Sequence, residues 1–570
     1  MSDLPADILD RDAARSAVVH VERTRDRAHG DFASNIAMAL AKAARRKPRD
    51  LAESLVAALP ASDRIARVEI AGPGFINFFL TPAAYHGEIA QVLELAEQYG
   101  RAAQGSGHRV LVEFVSANPT GPLHVGHGRN AAYGDSVARL LQAAGHEVGT
   151  EYYINDAGRQ TDILAVSAWL RYLERAGQTP HFPASGYPGD YIRDIAGVLF
   201  EREGERFLRP ASEIEHGLPV DAPEGDKETY IDALIGRARE LLGDEDYRLI
   251  QREALEAQLA SIRSTLDGFN VHFDRWYSER ELVEHGAVAH ALDLLRERGH
   301  VYEKDGAVWL RTSELGDEKD RVLVRDDGSY TYFASDVAYH VDKLERGFDE
   351  LIDVWGADHH GYIARVRAAI EALTGRGDQF TVALIQFVTL ASGRMGKRSG
   401  NFVTLRELIE EAGTDATRFF YLNRSNDQHL EFDIELARSQ TADNPVYYIQ
   451  YAHARVASVF RQLEEKGLAF DRKLGLAGLD RLSESHEDEL LVSISRFPEM
   501  VESAAANRAP QLMAHYLRQL ANDFHTYYNA HTFLVEDAAL RNARLCLVSA
   551  ARQVIANGLA LLGVSAPDTM

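Results

Sequence analysis

The pattern of apolar and polar positions changes several times along this chain. Near the start, F-A-S-N-I-A-M-A-L-A-K has the spacing of a helix. V-E-I-A-G-P-G-F-I-N-F-F-L then predicts two short strands around an A-G-P-G turn. From residue 108 to about 160 the pattern predicts a βαβ unit. An apolar run, V-L-V-E-F-V, leads to a helix with Tyr133, Val137, Leu140 and Leu141 at helical spacing; Gly145 suits its C-terminal cap, and E-Y-Y-I returns as a strand. A polar, charge-rich stretch from about 161 to 320 reads as a helical insertion. Strand-like patterns resume in G-A-V-W-L-R-T, R-V-L-V-R-D-D-G-S-Y-T-Y-F, L-I-D-V-W-G-A-D and V-A-L-I-Q-F-V. From about 435 onward no strand signal is convincing. Val446, Ile449, Val456 and Phe460 fit one helix, and Leu540, Leu547, Val554 and Leu561 fit another.

The fold class this predicts is α/β: a Rossmann-like parallel-sheet domain split by an insertion, with an N-terminal α+β domain and a C-terminal all-α helical bundle. The expected domains are residues 1–107, 108–434 with the insertion at about 161–320, and 435–570. In such open sheets, ligands bind beyond the carboxyl ends of the strands.

Composition narrows the picture. The single cysteine, Cys546, excludes an intramolecular disulfide framework and a cysteine-based zinc cluster. The first residues lack the apolar core of a signal peptide, and no run of about 18 apolar residues predicts a membrane span. A cytoplasmic protein without membrane attachment is expected. The formal net charge of −24 argues, by itself, against a nucleic-acid partner. In a chain this long, however, acid can cover the outer faces while a basic strip binds. Arg45-Arg46-Lys47-Pro48-Arg49 is a candidate strip, although a charge run is more often a solvated face.

Three strand ends carry candidate chemistry. V-S-A-N-P-T-G-P-L-H-V-G-H places His124 and His127 on one face of a first helical turn, where unpaired N–H groups and the helix dipole favour phosphate. Gly126 leaves bare backbone that a flat base could approach. The histidines could equally be capping or core residues. V-W-G-A-D-H-H ends a second strand, where Asp358 could instead cap the next helix. The loop A-S-G-R-M-G-K-R-S-G-N has glycines at 393, 396 and 400, and Arg394, Lys397 and Arg398 could clamp a polyphosphate. Glu113 sits inside an apolar strand, where a carboxylate is costly unless paired. Its partner could be a cationic ligand or an arginine of the protein.

These words resemble the class I aminoacyl-tRNA synthetases: H-V-G-H is similar to their H-I-G-H motif and R-M-G-K-R to their K-M-S-K-S loop. With Y-I-N-D-A-G-R-Q, Y-T-Y-F-A-S-D-V-A-Y, W-G-A-D-H-H-G-Y, S-G-N-F-V-T-L, N-P-V-Y-Y-I-Q-Y-A-H-A-R and the terminal N-G-L-A-L-L-G-V-S-A-P-D-T-M, the resemblance is to arginyl-tRNA synthetases of bacterial type, over nearly the whole chain. It implies activation of L-arginine with ATP to arginyl-adenylate and transfer to tRNA(Arg), releasing AMP and pyrophosphate. ATP acts with Mg2+; no tightly bound cofactor, no metal site and a monomer are expected.

The same resemblance implies His124, His127 and Lys397 as catalytic residues. It places His124, Gly126, His127, Asp358, Met395, Lys397 and Arg398 at ATP, and Glu113, Asn118, His124, Tyr332, Asp336 and His360 at arginine. Phe75 and Asn77 match residues that meet a D-loop base of tRNA, and Tyr447, Tyr527 and Met570 belong to the tRNA-binding tail. From pattern alone, Phe75 fits a core position as well, and most tail tyrosines fit packing. The chain departs from the motif where Arg394 replaces the first lysine and Gly396 the serine. His360 stands where some relatives carry glutamine. Two alternatives are a non-catalytic tRNA-binding paralogue and a small-molecule nucleotidyltransferase of the same superfamily. Intact His124, His127 and Lys397 speak against the first, and the leading domain and helical tail against the second.

Overall fold

The computed structural model describes residues 18–24, 26–103, 105–391 and 403–570. The chain opens on β1 (Val21–Arg23) and β2 (Phe32–Ser34), then α1 (Ile36–Ala44) and α2 (Pro48–Ala57), then β3 (Ile65–Ala71) and β4 (Phe75–Leu80). The strands form an antiparallel sheet in the order β1-β2-β4-β3. Ile36, Leu40, Leu51, Leu55 and Ile76 form its core with the helices. The helix expected from Phe32 starts only at Ile36. Ser34 and Asn35 favour capping over helix interiors, and the Ile36 amide donates to Ser34 Oγ, which leaves Phe32–Ser34 to pair with β4.

The central sheet follows. β5 (Arg109–Glu113) leads through α3 (Val125–Ala143) to β6 (Glu147–Ile154). α4 (Arg159–Arg175) and a long helix, α5 (Lys227–Gly268), interrupted at Gly243 with φ 76°, pack around Trp169 and Leu170. β7 (Arg275–Ser278) then joins β6 in parallel, inside the span read from sequence as insertion. β8 (Val301–Lys304), β9 (Ala307–Leu310) and β10 (Arg321–Val324) make a small antiparallel sheet. After α6 (Tyr332–Glu345) come β11 (Glu350–Gly356) and β12 (Phe380–Ile385). The five parallel strands lie in the order β12-β11-β5-β6-β7. Their near-continuous burial explains why β5 reads as an apolar run rather than an alternating one. β13 (Val388–Leu390) pairs with β14 (Leu430–Phe432).

Beyond β14 the described chain is helical, with Pro445–Glu465, Ser485–Ser495, Phe497–Ala506, Pro510–Ala530 and Ala538–Leu561 as its main helices. The molecule divides into two compact units. One comprises Met1–Tyr99, Arg455–Phe497 and Asn522–Val554; the other comprises Gly100–Ala454, Pro498–Ala521 and Ile555–Met570. Within the first, Arg23 Nη2 donates to Ser495 O (3.3 Å), and Tyr99 stacks on Phe497 with centroids 6.0 Å apart. Among the described residues, no helix is long and apolar enough to cross a membrane.

Candidate active site

His124 and His127 open α3 as a reciprocal cap. His124 Nδ1 accepts from the amides of Gly126 (3.1 Å) and His127 (3.3 Å), while His127 Nδ1 accepts from the His124 amide (3.3 Å). The rings stack with centroids 3.5 Å apart. An Nδ1 that accepts carries no proton, so both rings hold theirs on Nε2. Burial lowers the pKa of both rings, and with the neighbouring His124 it brings His127 down to about 3. Two neutral donors therefore start this helix, and capping leaves each Nε2–H as the donor. Gly126 serves the same cap: a Cβ there would lie 3.0 Å from His124 Cε1, so the glycine makes room for the imidazole.

An ionic seam crosses three strands of the same sheet. Asp353, Glu113 and Glu151 stand side by side on β11, β5 and β6. All three are buried. One face of α6, at helical spacing, answers them with Tyr339, His340 and Lys343, followed by Arg346. Lys343 Nζ donates to Glu113 Oε2 and to Asp353 Oδ1 (2.9 Å), and His340 Nε2 lies 3.3 Å from Asp353 Oδ2. Arg346 grips Glu151 with two bonds of 2.8 and 3.0 Å, and Tyr339 OH donates to it at 2.6 Å. Burial alone would lower the pKa of Lys343, but the charges of Asp353, Glu113 and Glu151 outweigh it and hold the ammonium above its ordinary value. The cation that Glu113 requires is thus supplied by a lysine 230 residues away. The other Glu113 oxygen accepts from Ser116 Oγ (2.8 Å), on a strained turn where Val115 and Ser116 have φ of 66° and 39°.

Three further carboxylates at this edge have no basic partner in an ion pair among the described residues: Asp336, Glu279 and Asp156, whose carboxylate accepts from Ser278 Oγ (2.6 Å) and the Arg280 amide (2.9 Å). Asp336, on α6, accepts from Tyr362 OH; burial raises its pKa. Glu279 follows β7. Tyr153 bonds to it, and Asn155 Nδ2 donates to it in the amide orientation that satisfies both of its ends, yet burial and the charges of Asp336 and Asp156 push it up to about 7. Sequence reading missed Glu279 and Lys343. The signal available for Lys343 was the Asp336, Tyr339, His340, Lys343 spacing on α6; nothing local marked Glu279.

Other expected residues lie around this edge. Tyr332 is the first residue of α6 and is exposed. Asn118, Asp358 and His360 are exposed as well. Asp358 caps neither the short Ala357–Tyr362 turn nor the helix Ile363–Thr374, so that alternative falls away. Met395, Lys397 and Arg398, with Arg394 and Gly396, lie outside the described residues. The chain just beyond them is held to the histidine turn: the Val125 amide donates to Val403 O (3.3 Å) and the Leu405 amide to Leu123 O (2.7 Å).

Arg129, one turn into α3, is 1% exposed and makes no ion pair with a carboxylate among the described residues. It donates to Gln386 O (3.0 Å), Gln428 O (2.7 Å) and Ser425 O (2.8 Å), which ties α3 to the segments flanking β13 and β14. Burial lowers its pKa to about 10. Arg129→Met strips three carbonyls of their donor and is expected to cost about 2–4 kcal/mol of stability. The measurement is the urea midpoint; an unchanged midpoint would mean that water replaces the guanidinium.

Comparison with known proteins bears on this arrangement. Residues 6–80 match the family described as arginyl tRNA synthetase N terminal domain, residues 88–181 and 231–457 the catalytic domain of class I (R) tRNA synthetases, and residues 449–570 the DALR anticodon binding domain. An arginine–tRNA ligase of Thioalkalivibrio sulfidiphilus is 60% identical, over 97% of this chain and 95% of its own. One from Halorhodospira halophila is 57% identical, over 100% and 97%. The chain belongs to the arginyl-tRNA synthetase family. The fold agrees: the Thermus thermophilus arginyl-tRNA synthetase superposes with a TM-score of 0.74 at 25% identity, covering 99% of both chains. This synthetase is therefore an arginine–tRNA ligase with a class I catalytic domain, an N-terminal domain and a helical DALR domain.

The expected tRNA residues of the synthetase differ in exposure. Phe75 is 40% exposed. Asn77 shares its face of β4, opposite the Ile76 core, and is buried. Tyr447 is half-buried and stacks on Tyr451 with centroids 6.0 Å apart; Met570 is exposed. Tyr527 is a correction. It is wholly buried, its OH donates to Glu487 Oε1 (2.9 Å), and Arg544 Nε shares the same oxygen, so its ring offers no face to a base.

Proposed function

We propose that arginine binds at the carboxyl edge of the parallel sheet with its guanidinium on Asp336 and Glu279, and that ATP lies with its phosphates over His124 and His127. The observation that carries this reading is the charge balance. The seam of Glu113, Asp353 and Glu151 is paired with Lys343, Arg346 and Arg275, while burial raises the pKa of Asp336, the charge of Asp336 helps raise that of Glu279, and neither makes an ion pair among the described residues. A planar guanidinium with five donors suits two such acceptors. Glu113 then acts on the site through Lys343 and Ser116.

In this reading the arginine carboxylate attacks the α-phosphorus, pyrophosphate leaves, and the arginyl-adenylate passes its acyl group to tRNA(Arg) with release of AMP. No covalent enzyme intermediate is needed, so the protein positions the reactants and stabilises phosphate charge. Neutral Nε2–H donors supply hydrogen bonds, and positive charge comes from Lys397 and Arg398, assigned on the motif alone, with Met395 beside the base. ATP enters as its magnesium complex, a substrate. Asp358 is assigned to the ribose, and Asn118, Tyr332 and His360 to the rest of arginine. Residues 1–107 are assigned to the tRNA D-loop through Phe75, and residues 435–570 to the anticodon, with Tyr447 and Met570 as contacts. A cytoplasmic monomer completes the reading.

The test uses Glu279. In the free enzyme it titrates near 7, so below that pH the guanidinium must expel a proton. Arginine affinity is expected to be full at pH 8 and to fall as pH drops, by up to about tenfold per unit below the pKa. Titration calorimetry in buffers of different ionisation enthalpy measures both Kd and proton release. Glu279→Gln is expected to bind weakly without pH dependence. A wild-type Kd that stays flat from pH 6 to 8 would remove Glu279 from the site.

A further inference from the structure

The leading domain carries cations that amino-acid activation does not use. Lys42, Arg45, Arg46, Lys47 and Arg49 cluster at the end of α1, the connecting turn and the start of α2. They do so in a chain with 86 acidic and 62 basic residues. Two of the five are engaged internally. Arg46 Nη2 donates to Ser54 Oγ (2.8 Å) and Asp50 O (3.2 Å), and Arg49 Nη1 donates to Gly72 O (3.1 Å), with Glu53 3.9 Å away. Lys42, Arg45 and Lys47 are exposed and make no ion pair among the described residues. Cations at a helix C-terminus offset its dipole, which accounts for Lys42 and Arg45. Lys47 sits at the N-terminal side of α2, where positive charge is disfavoured, so the dipole does not explain it.

A second observation links this strip to Phe75. The Arg49 bond to Gly72 brings the β3–β4 turn against α2. Gly74, with φ 143°, is packed so closely that a Cβ there would lie 2.9 Å from the carbonyl carbon of Pro48. Phe75 follows directly, with its ring 40% exposed. An exposed aromatic ring thus follows a turn packed against Pro48, next in sequence to Lys47, and Lys42, Arg45 and Lys47 of the same strip make no ion pair among the described residues. Cations that track phosphates next to a ring that takes a base are the two components of single-stranded RNA recognition.

We propose that Lys42, Arg45 and Lys47, together with Phe75, form one tRNA-binding surface, the cations holding the phosphate backbone on either side of the base that stacks on the ring. This rests on the reading that Phe75 meets tRNA. The test is tRNA affinity of the full-length enzyme, measured by fluorescence anisotropy over a range of KCl. The triple variant Lys42→Gln/Arg45→Gln/Lys47→Gln is expected to flatten the slope of log K against log salt by about 2–3 and to weaken binding on the order of tenfold at 0.1 M salt. Phe75→Ala is expected to weaken binding by about 5- to 150-fold with the slope unchanged. A triple variant with wild-type slope and affinity overturns the phosphate surface, while the Phe75→Ala result judges the base contact separately. A lowered Tm with an unchanged slope also overturns it, because the cations then serve only the helix ends.

Discussion

Asp336→Ala is expected to lower kcat/KM for arginine by about 30- to 5,000-fold, equivalent to roughly 2–5 kcal/mol, while KM for ATP stays near wild type. The size follows from the environment. Asp336 accepts from Tyr362 OH, and Glu279, whose pKa the charge of Asp336 helps raise, likewise makes no ion pair among the described residues. Removing one of two acceptors leaves a desolvated guanidinium half-paired, and that penalty is paid only when arginine binds. Asp336→Asn keeps the volume and an oxygen for Tyr362 but removes the charge, so it separates electrostatics from packing. Lysine is rejected for a related reason: its ammonium is a point charge and cannot bridge two acceptors as a planar fork does. Charging kinetics at saturating tRNA and ATP measure the effect. If Asp336→Ala keeps the wild-type KM for arginine, the guanidinium lies elsewhere.

His127→Ala is expected to lower kcat by about 100-fold or more with little change in KM for arginine, the loss typical of one preorganised donor to a transition-state oxyanion. The donor is preorganised because His127 Nδ1 is tied to the His124 amide and the rings are stacked, so the Nε2–H has a fixed direction. The same bond caps α3, so a stability loss of about 1 kcal/mol accompanies the rate effect and is read separately from Tm. The lowered pKa of both rings adds a second readout. With His127 held near 3, kcat is expected to lack an acid limb centred near the ordinary histidine value. An acid limb there that disappears in His127→Ala would show that a charged imidazole does the work.

The residues that local pattern could interpret are those whose partners are close in sequence. Tyr133, Val137, Leu140 and Leu141 recur at helical spacing, and Gly145, with φ 90°, closes that helix. The β5–α3–β6 unit and the helical tail were legible for the same reason: periodicity and capping are short-range. Family resemblance added the chemistry of the H-V-G-H turn. β7 escaped because four residues, R-W-Y-S, carry too little period to distinguish a sheet strand from its helical surroundings.

Where the charges settle was decided by the tertiary structure. Sequence established that Glu113, set in an apolar strand, needed a cation; packing determined that Lys343 supplies it and that Asp336 and Glu279 make no ion pair among the described residues. Sequence placed tyrosines in the tail; the fold buried Tyr527 against Glu487 and left Phe75 at the surface. Burial and ion pairing depend on groups brought together from tens to hundreds of residues apart, and no local pattern contains that information. What sequence alone determined about this protein is therefore its elements, their order and its family. Which carboxylates stay unneutralised, which imidazole nitrogens carry the protons and which aromatic rings can reach RNA were settled only when distant segments packed together.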